Sequence, residues 1–187
     1  MLLRREVAVK GVVFNLLEEV VVRDFGPDMW DTLIDDVQVS GAYTSLGNYS
    51  DEEIVQLVNT AADKLNLTSS EVLRWLGEQA MPILKERYGA LFSGHLSSRN
   101  FVLSVNSIIH PEVRKLYSGA SCPFFHFKEG ENGAVLMTYQ SSRRMCDLAH
   151  GFVRGASRLF CEEVDIEHHS CMNHGADVCL MEINWRR

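Results

Sequence analysis

The sequence predicts an α+β fold: a helical N-terminal lobe over about residues 9–100, and a C-terminal lobe over about 101–187 in which an antiparallel sheet carries helices. Two observations predict it. Apolar residues recur at three- and four-residue spacing through the first hundred positions, the repeat that gathers them on one helix face. Beyond Gly119, short runs typical of strands flank one long helical stretch. With 187 residues, 46% of them hydrophobic, the chain buries a full core as one domain, and no second catalytic domain fits.

Each element has a local reason. Residues 1–8 read as an N-terminal extension, with the domain occupying 9–187. Across 11–25, Val12, Val13, Leu16, Leu17, Val20 and Val21 keep helical spacing until Gly26-Pro27 stops them, and Trp30, Leu33 and Ile34 open a second helix. Residues 38–49 are rich in Ser, Gly, Asn and Thr and read as a loop. Ser50 and Glu53 spell a capping box ahead of Ile54, Leu57, Val58, Ala61 and Leu65. Thr68 caps a helical stretch to Tyr88 that Pro82 is expected to kink or split, because proline lacks the N–H of an interior helical bond. The first hundred residues are thus expected to be all helical.

From 101 to 117 apolar residues recur at 101, 105, 109, 113 and 116, yet His110-Pro111 disfavours one continuous helix. If Ser107 caps a new helix, Pro111 falls in its first turn, where an N–H has no acceptor anyway, and His110 projects from a defined helix start. Residues 124–127 and 134–139 then read as strands, 142–160 as a helix, and 164–168 and 178–185 as strands. No proline- or serine-rich linker parts the lobes, so a ligand can be clamped between them.

Charge and composition exclude several classes. A net charge of −7, with no basic block longer than Arg4-Arg5 or Arg143-Arg144, argues against a nucleic-acid groove. The apolar runs fall short of the roughly 18 to 20 residues of a membrane span, and the start lacks a secretory pattern, so the expected location is cytoplasmic. No glycine-rich phosphate loop or nucleophile elbow is present, and the acidic pairs Glu18-Glu19 and Asp35-Asp36 read as solvated helix faces.

Two constellations carry chemistry. The first is His110 with Tyr139, Ser141 and Arg143, the last three placed on one side by alternation at a strand end. Two hydroxyls and a guanidinium fork suit a pair of carboxylates. By themselves these residues also fit a hydrogen-bonded core histidine, a packed tyrosine, a serine cap and a solvated arginine. The second is Cys146 with His168-x-x-Cys171 and Cys179, a Cys₃His set of the kind that holds structural zinc. His169 or His174 can replace His168 in it, Cys161 can replace Cys146, and buried free cysteines are the plain alternative.

Together with Lys10-Gly11-Val12-Val13-Phe14, Leu116-Tyr117, Pro123 and Tyr-x-Ser-x-Arg at 139–143, these features resemble the H-NOX family of haem nitric oxide/oxygen-binding domains, which includes the sensor domain of soluble guanylate cyclase. The likeness spans nearly the whole chain from Val9. It implies haem b clamped between the lobes, with His110 as proximal iron ligand, Tyr139, Ser141 and Arg143 on the propionates, and Val13 and Pro123 against the macrocycle. Oxygen-binding members have a distal tyrosine, asparagine and tryptophan; the corresponding positions here hold Leu148, Ala80 and Leu17. An apolar pocket gives O₂ no hydrogen-bond donor, so NO and CO are the expected ligands. Cys122, a thiol before Pro123, ranks below His110 as a haem ligand.

The Cys/His set, with Met172 and Gly175-Ala176-Asp177, is similar to a subset of stand-alone bacterial members that bind zinc, which implies Zn²⁺ at Cys146, His168, Cys171 and Cys179. Oxidation of such thiolates offers a route to redox sensing. The implied function is a gas sensor rather than an enzyme: NO weakens the His110–iron bond, and the change regulates a separate histidine kinase or diguanylate cyclase/phosphodiesterase, or less favourably a chemotaxis receptor. The rival expectation is a zinc-stabilised structural, adaptor or thiol redox-sensing module without haem. A catalytic zinc enzyme fits poorly, because four protein ligands leave no place for water.

Overall fold

Strand β1 (Ala8–Lys10) leads directly into α1 (Gly11–Phe25) in the computed structural model, which describes residues 8–186. The expected extension 1–8 lies outside the described residues except for Ala8, which pairs with Ser50. The apolar stripe of α1 buries Phe14, Leu16, Leu17, Val20 and Val21. Pro27 opens α2 (Pro27–Val37) in a first turn where its missing N–H has no acceptor to lose. Strand β2 (Asn48–Ser50) then pairs antiparallel with β1, which corrects the all-helical expectation for the first hundred residues. Gly11 allows this: a Cβ there would stand 2.0 Å from the Thr44 carbonyl oxygen, so only glycine lets the turn close against the start of α1.

Helix α3 (Asp51–Leu65) is capped, but not by the expected reciprocal box. The Ser50 hydroxyl accepts the Glu52 N–H at 3.1 Å, while the Glu53 carboxylate instead accepts the Tyr43 hydroxyl at 2.5 Å. The full box belongs to α4 (Ser69–Arg87), where Thr68 and Glu71 exchange bonds of 3.2 and 2.7 Å. Pro82 lies inside α4, so of the two expected outcomes, a kink or a split, the split does not occur. Tertiary packing holds the helix through it, since Met81 and Ile83 on either side are buried.

Short helices α5 (Gly89–Phe92) and α6 (Ser98–Leu103) lead to a π-helical turn, Val105–Ile109, and then α7 (His110–Leu116). The expected cap by Ser107 is absent, because its hydroxyl donates back to the Ser104 carbonyl at 3.3 Å. The chain widens instead: the His110 N–H reaches the Val105 carbonyl, five residues back, and Pro111 enters the first turn of α7 without giving up a bond.

The C-terminal lobe is a four-stranded antiparallel sheet in the order β3 (Phe124–Glu129), β4 (Val135–Gln140), β6 (Cys179–Arg186), β5 (Glu163–Ser170), with α8 (Cys146–Leu159) between β4 and β5 in sequence. Helix α8 begins later than expected, because residues 141–144 form a turn in which Arg144 adopts a φ of 53°. It packs hard against α4 and so joins the lobes. A Cβ at Gly151 would stand 2.2 Å from the Arg74 carbonyl oxygen, and Arg74 also pairs with buried Asp147 at 2.7 Å. Among the described residues no helix is long and apolar enough to cross a membrane.

Candidate functional site

A cavity of about 350 Å³ separates the helical lobe from the sheet, within the range of small-ligand sites. Its wall is overwhelmingly apolar and draws on α1, α4, α7, α8, β3 and β4. Leu16, Met81, Leu84, Phe125, Met137 and Phe152 contribute much of it.

His110 lines this cavity from the first residue of α7. Burial, and then the Arg114 charge, depress its imidazole to about 4, so it is neutral near pH 7 and offers a lone pair. The ring has no hydrogen-bond partner among the described residues and lies 5.7 Å, centroid to centroid, from Phe125. An unpartnered neutral imidazole facing an apolar cavity suits iron or another soft cation better than a core packing role.

Tyr139, Ser141 and Arg143 also line the cavity. They do not share one strand, since β4 ends at Gln140; the following turn brings Ser141 and Arg143 round instead. The Ser141 hydroxyl accepts the Arg143 N–H at 3.3 Å, and the Tyr139 hydroxyl accepts the Met145 N–H at 3.1 Å. Burial pushes the Tyr139 phenol up to about 12, so it remains a donor. The Arg143 guanidinium is not solvated: it donates to Asp51 at 2.9 Å and to the carbonyls of Ser121 and Ala8 at 2.6 Å each. Of its five N–H groups two remain for a carboxylate.

Val13, Pro123, Cys122 and Leu148 lie on the cavity wall. Leu17 and Ala80 do not; they are 0% and 1% exposed and pack in the core of the helical lobe. Neighbouring positions on a helix point about 100° apart, so Leu16 and Met81 face the cavity in their stead. The hydroxyls of Tyr88 and Tyr117, also on the wall, bond to each other. An imidazole, two carboxylate-binding hydroxyls, a guanidinium and apolar walls fit haem: nitrogen for iron, Arg143 and its neighbours for propionates, and side-chain carbon for the macrocycle.

The second constellation forms a separate buried cluster. The Sγ atoms of Cys146, Cys171 and Cys179 all lie within 4.8 Å of one another, brought together by the start of α8, the residue after β5 and the start of β6. Burial, then the neighbouring thiols, push Cys146 well above an ordinary thiol, and burial also raises Cys179. Three buried thiols in mutual reach are a soft donor set that fits zinc, whose charge makes thiolates favourable. His168 is outside this group: its Nε2 lies 3.0 Å from Nδ1 of His150, a residue the sequence reading did not single out. The signal for it was its place four residues after Cys146, on the same helix face. Of the alternatives, Cys161 is exposed and His169 lies 2.9 Å from Glu182.

Comparison with known proteins bears on the family and the fold. A family model described as Haem-NO-binding matches residues 10–168, a segment that stops before Cys171 and Cys179. The chain is similar to an H-NOX protein from Shewanella oneidensis in the Fe(II)NO ligation state, with 29% identity, a TM-score of 0.90, and coverage of 96% of this chain and 100% of that one. An Fe(II) unliganded H-NOX protein from K. algicida is 25% identical at a TM-score of 0.85, covering 96% and 97%. A mutant H-NOX structure from T. Tengcongensis, 23% identical over 96% and 98%, shares the fold at a TM-score of 0.83.

Proposed function

The chain belongs to the Haem-NO-binding family, whose H-NOX domains are gas sensors and not enzymes, and from that premise we propose that it is a haem-based sensor of NO and CO that excludes O₂ and signals to a separate protein. The observation that carries this reading is His110, a neutral and unpartnered imidazole facing a large apolar cavity between two lobes. Held there through His110, haem b would supply a ferrous iron able to bind a diatomic gas.

The residues divide the work. His110 offers its lone pair from the start of α7, immediately after a π turn that is a weaker stretch of helix. Arg143, Ser141 and Tyr139 hold the propionates, and Val13 and Pro123 press on the macrocycle. Leu148, with Leu17 and Ala80 behind the wall, keeps the gas side free of hydrogen-bond donors, which O₂ needs and NO and CO do not. The hydroxyls of Tyr88 and Tyr117 are engaged with each other, and Tyr117 directly follows the helix of His110. Binding of NO would weaken the hold of His110 and so free α7 to move against the C-terminal lobe. That gives the gas a differential interaction with two states, as a switch requires.

Residues 9–187 act as one sensing domain in the cytoplasm, and a histidine kinase or diguanylate cyclase/phosphodiesterase is the favoured output, ahead of a chemotaxis receptor. Cys146, Cys171 and Cys179, with a histidine, hold zinc as a structural centre; their convergence is also what a thiol redox module would need. Absorption spectra of the reduced protein under argon, air, CO and NO test the reading. The expected result is a Soret band that shifts with CO and NO and is unmoved by air. A stable oxygen complex would overturn the selectivity, and absence of any Soret band would favour the zinc module.

A further inference from the structure

The thiol cluster supplies three donors and lacks a nitrogen within its own circle. Helix α8, which begins at Cys146, and β5, which ends just before Cys171, also carry a histidine pair. His150 is 7% exposed and stands on α8 one turn beyond Cys146; His168 is on β5, three residues before Cys171. Their rings lie 5.2 Å apart, centroid to centroid, tilted by 31°, with Nδ1 of His150 3.0 Å from Nε2 of His168.

That contact restricts what His168 can do. Two neutral imidazoles share a single proton across such a bond, so the pair has two tautomeric arrangements. When Nε2 of His168 donates, its Nδ1 keeps a lone pair and can bind a metal. When Nδ1 of His150 donates, Nδ1 of His168 carries hydrogen and cannot. Metal-bound histidines generally donate their second N–H to an outer partner that fixes tautomer and ring orientation. His150 has the place and the accepting nitrogen for that task, and its burial removes water as a competitor.

We propose that His150 is a positioning residue: by accepting the Nε2–H of His168 it fixes His168 as the fourth, nitrogen ligand, through Nδ1, of a metal held by Cys146, Cys171 and Cys179. The proposal rests on the zinc reading of that cluster. His150 itself makes no bond to the metal.

The full chain is reduced, stripped of metal, and given Zn²⁺ in competition with a chromophoric chelator; Co²⁺ in parallel reports the ligand set by its absorption spectrum. Wild type, His150→Leu, His150→Asn and His168→Ala are compared, with circular dichroism and the Soret band followed to establish folding. Removal of an outer partner is expected to weaken Zn²⁺ affinity by about 10- to 100-fold in His150→Leu, with the cobalt spectrum still that of three sulfurs and one nitrogen. His150→Asn, which keeps an acceptor near the Nδ1 position, should restore most of the affinity. His168→Ala alone should lose the nitrogen from the cobalt spectrum. Undiminished affinity in His150→Leu, or failure of His150→Asn to rescue it, would overturn the proposal. So would a cobalt spectrum that loses its nitrogen in His150→Leu, since His150 would then be the ligand. A reduced wild type that takes up no zinc would sink the zinc reading, and this inference with it.

Discussion

The interlobe cavity and the thiol cluster are both buried, yet they are built on opposite plans. The cavity is wide and apolar, and presents one unpartnered imidazole from the start of a helix interrupted just upstream by a π turn. The cluster is tight, with neighbouring sulfurs 3.5 and 3.8 Å apart, and draws on one lobe only. A large planar cofactor is held mainly by shape and contact area, so its site can sit where two lobes meet and can change as they move. A metal ion is held by a few directed donors, so its site needs elements that stay in register. Helix α8 serves both, lending Leu148, Ala149 and Phe152 to the cavity and Cys146 and His150 to the cluster side.

This contrast can be broken one site at a time. The largest effect is expected from His110→Gly, which removes the iron ligand and should lower haem affinity by more than the roughly 100-fold upper end for losing an outer partner. Haem content per chain measures it, and zinc content should not change; undiminished haem with unaltered gas spectra would sink the assignment. Next, Cys179→Ser should abolish zinc retention by metal analysis while the Soret band persists. If haem is lost as well, the two sites are not separable. Gly151→Ala forces a Cβ into the Arg74 carbonyl, an overpacking that should destabilise the protein by about 1 to 3 kcal/mol in urea unfolding and loosen both sites together. Unchanged stability would show that α4 and α8 are less closely tied than their crossing implies.

The smallest effect is expected at the Thr68–Glu71 capping box, which lines neither site. Hydrogen bonds from Thr68 hold the Glu71 carboxyl below its ordinary 4.5, so the folded state prefers the charged form. Its contribution is therefore full above about pH 4.5 and is lost as pH falls through the lower folded value. Glu71→Ala should lower the melting temperature slightly at pH 7 and make no difference near pH 2. Equal shifts at both pH values would mean that the carboxylate charge is not what matters.

Much of this architecture was legible in the residues. The spacing of Val20, Val21 and Leu57 marks helix faces, and the change of pattern after Gly119 marks the sheet. His110 was legible as a helix start because Pro111 loses no hydrogen bond in a first turn. The mechanism of that start was not: a π turn widens the helix, and Ser107 plays no capping part. Tyr139, Ser141 and Arg143 were legible as a motif, whereas Arg143's bonds to Asp51 and to the Ala8 and Ser121 carbonyls join segments distant in the chain. Leu17 and Ala80 show the limit of motif position, because one residue's rotation on a helix separates the cavity wall from the core behind it.

By itself the sequence determined what is local or periodic: which segments coil, which extend, where proline is harmless, and which donors for iron and zinc the chain carries. Tertiary structure alone decided which donors meet. Three cysteines from the start of α8, the residue after β5 and the start of β6 converge, and His168 pairs with His150, a contact the spacing did not announce. The reason is physical: helix faces and strand alternation are set by neighbours a few residues away, but the distance between two elements is set by the packing of everything between them.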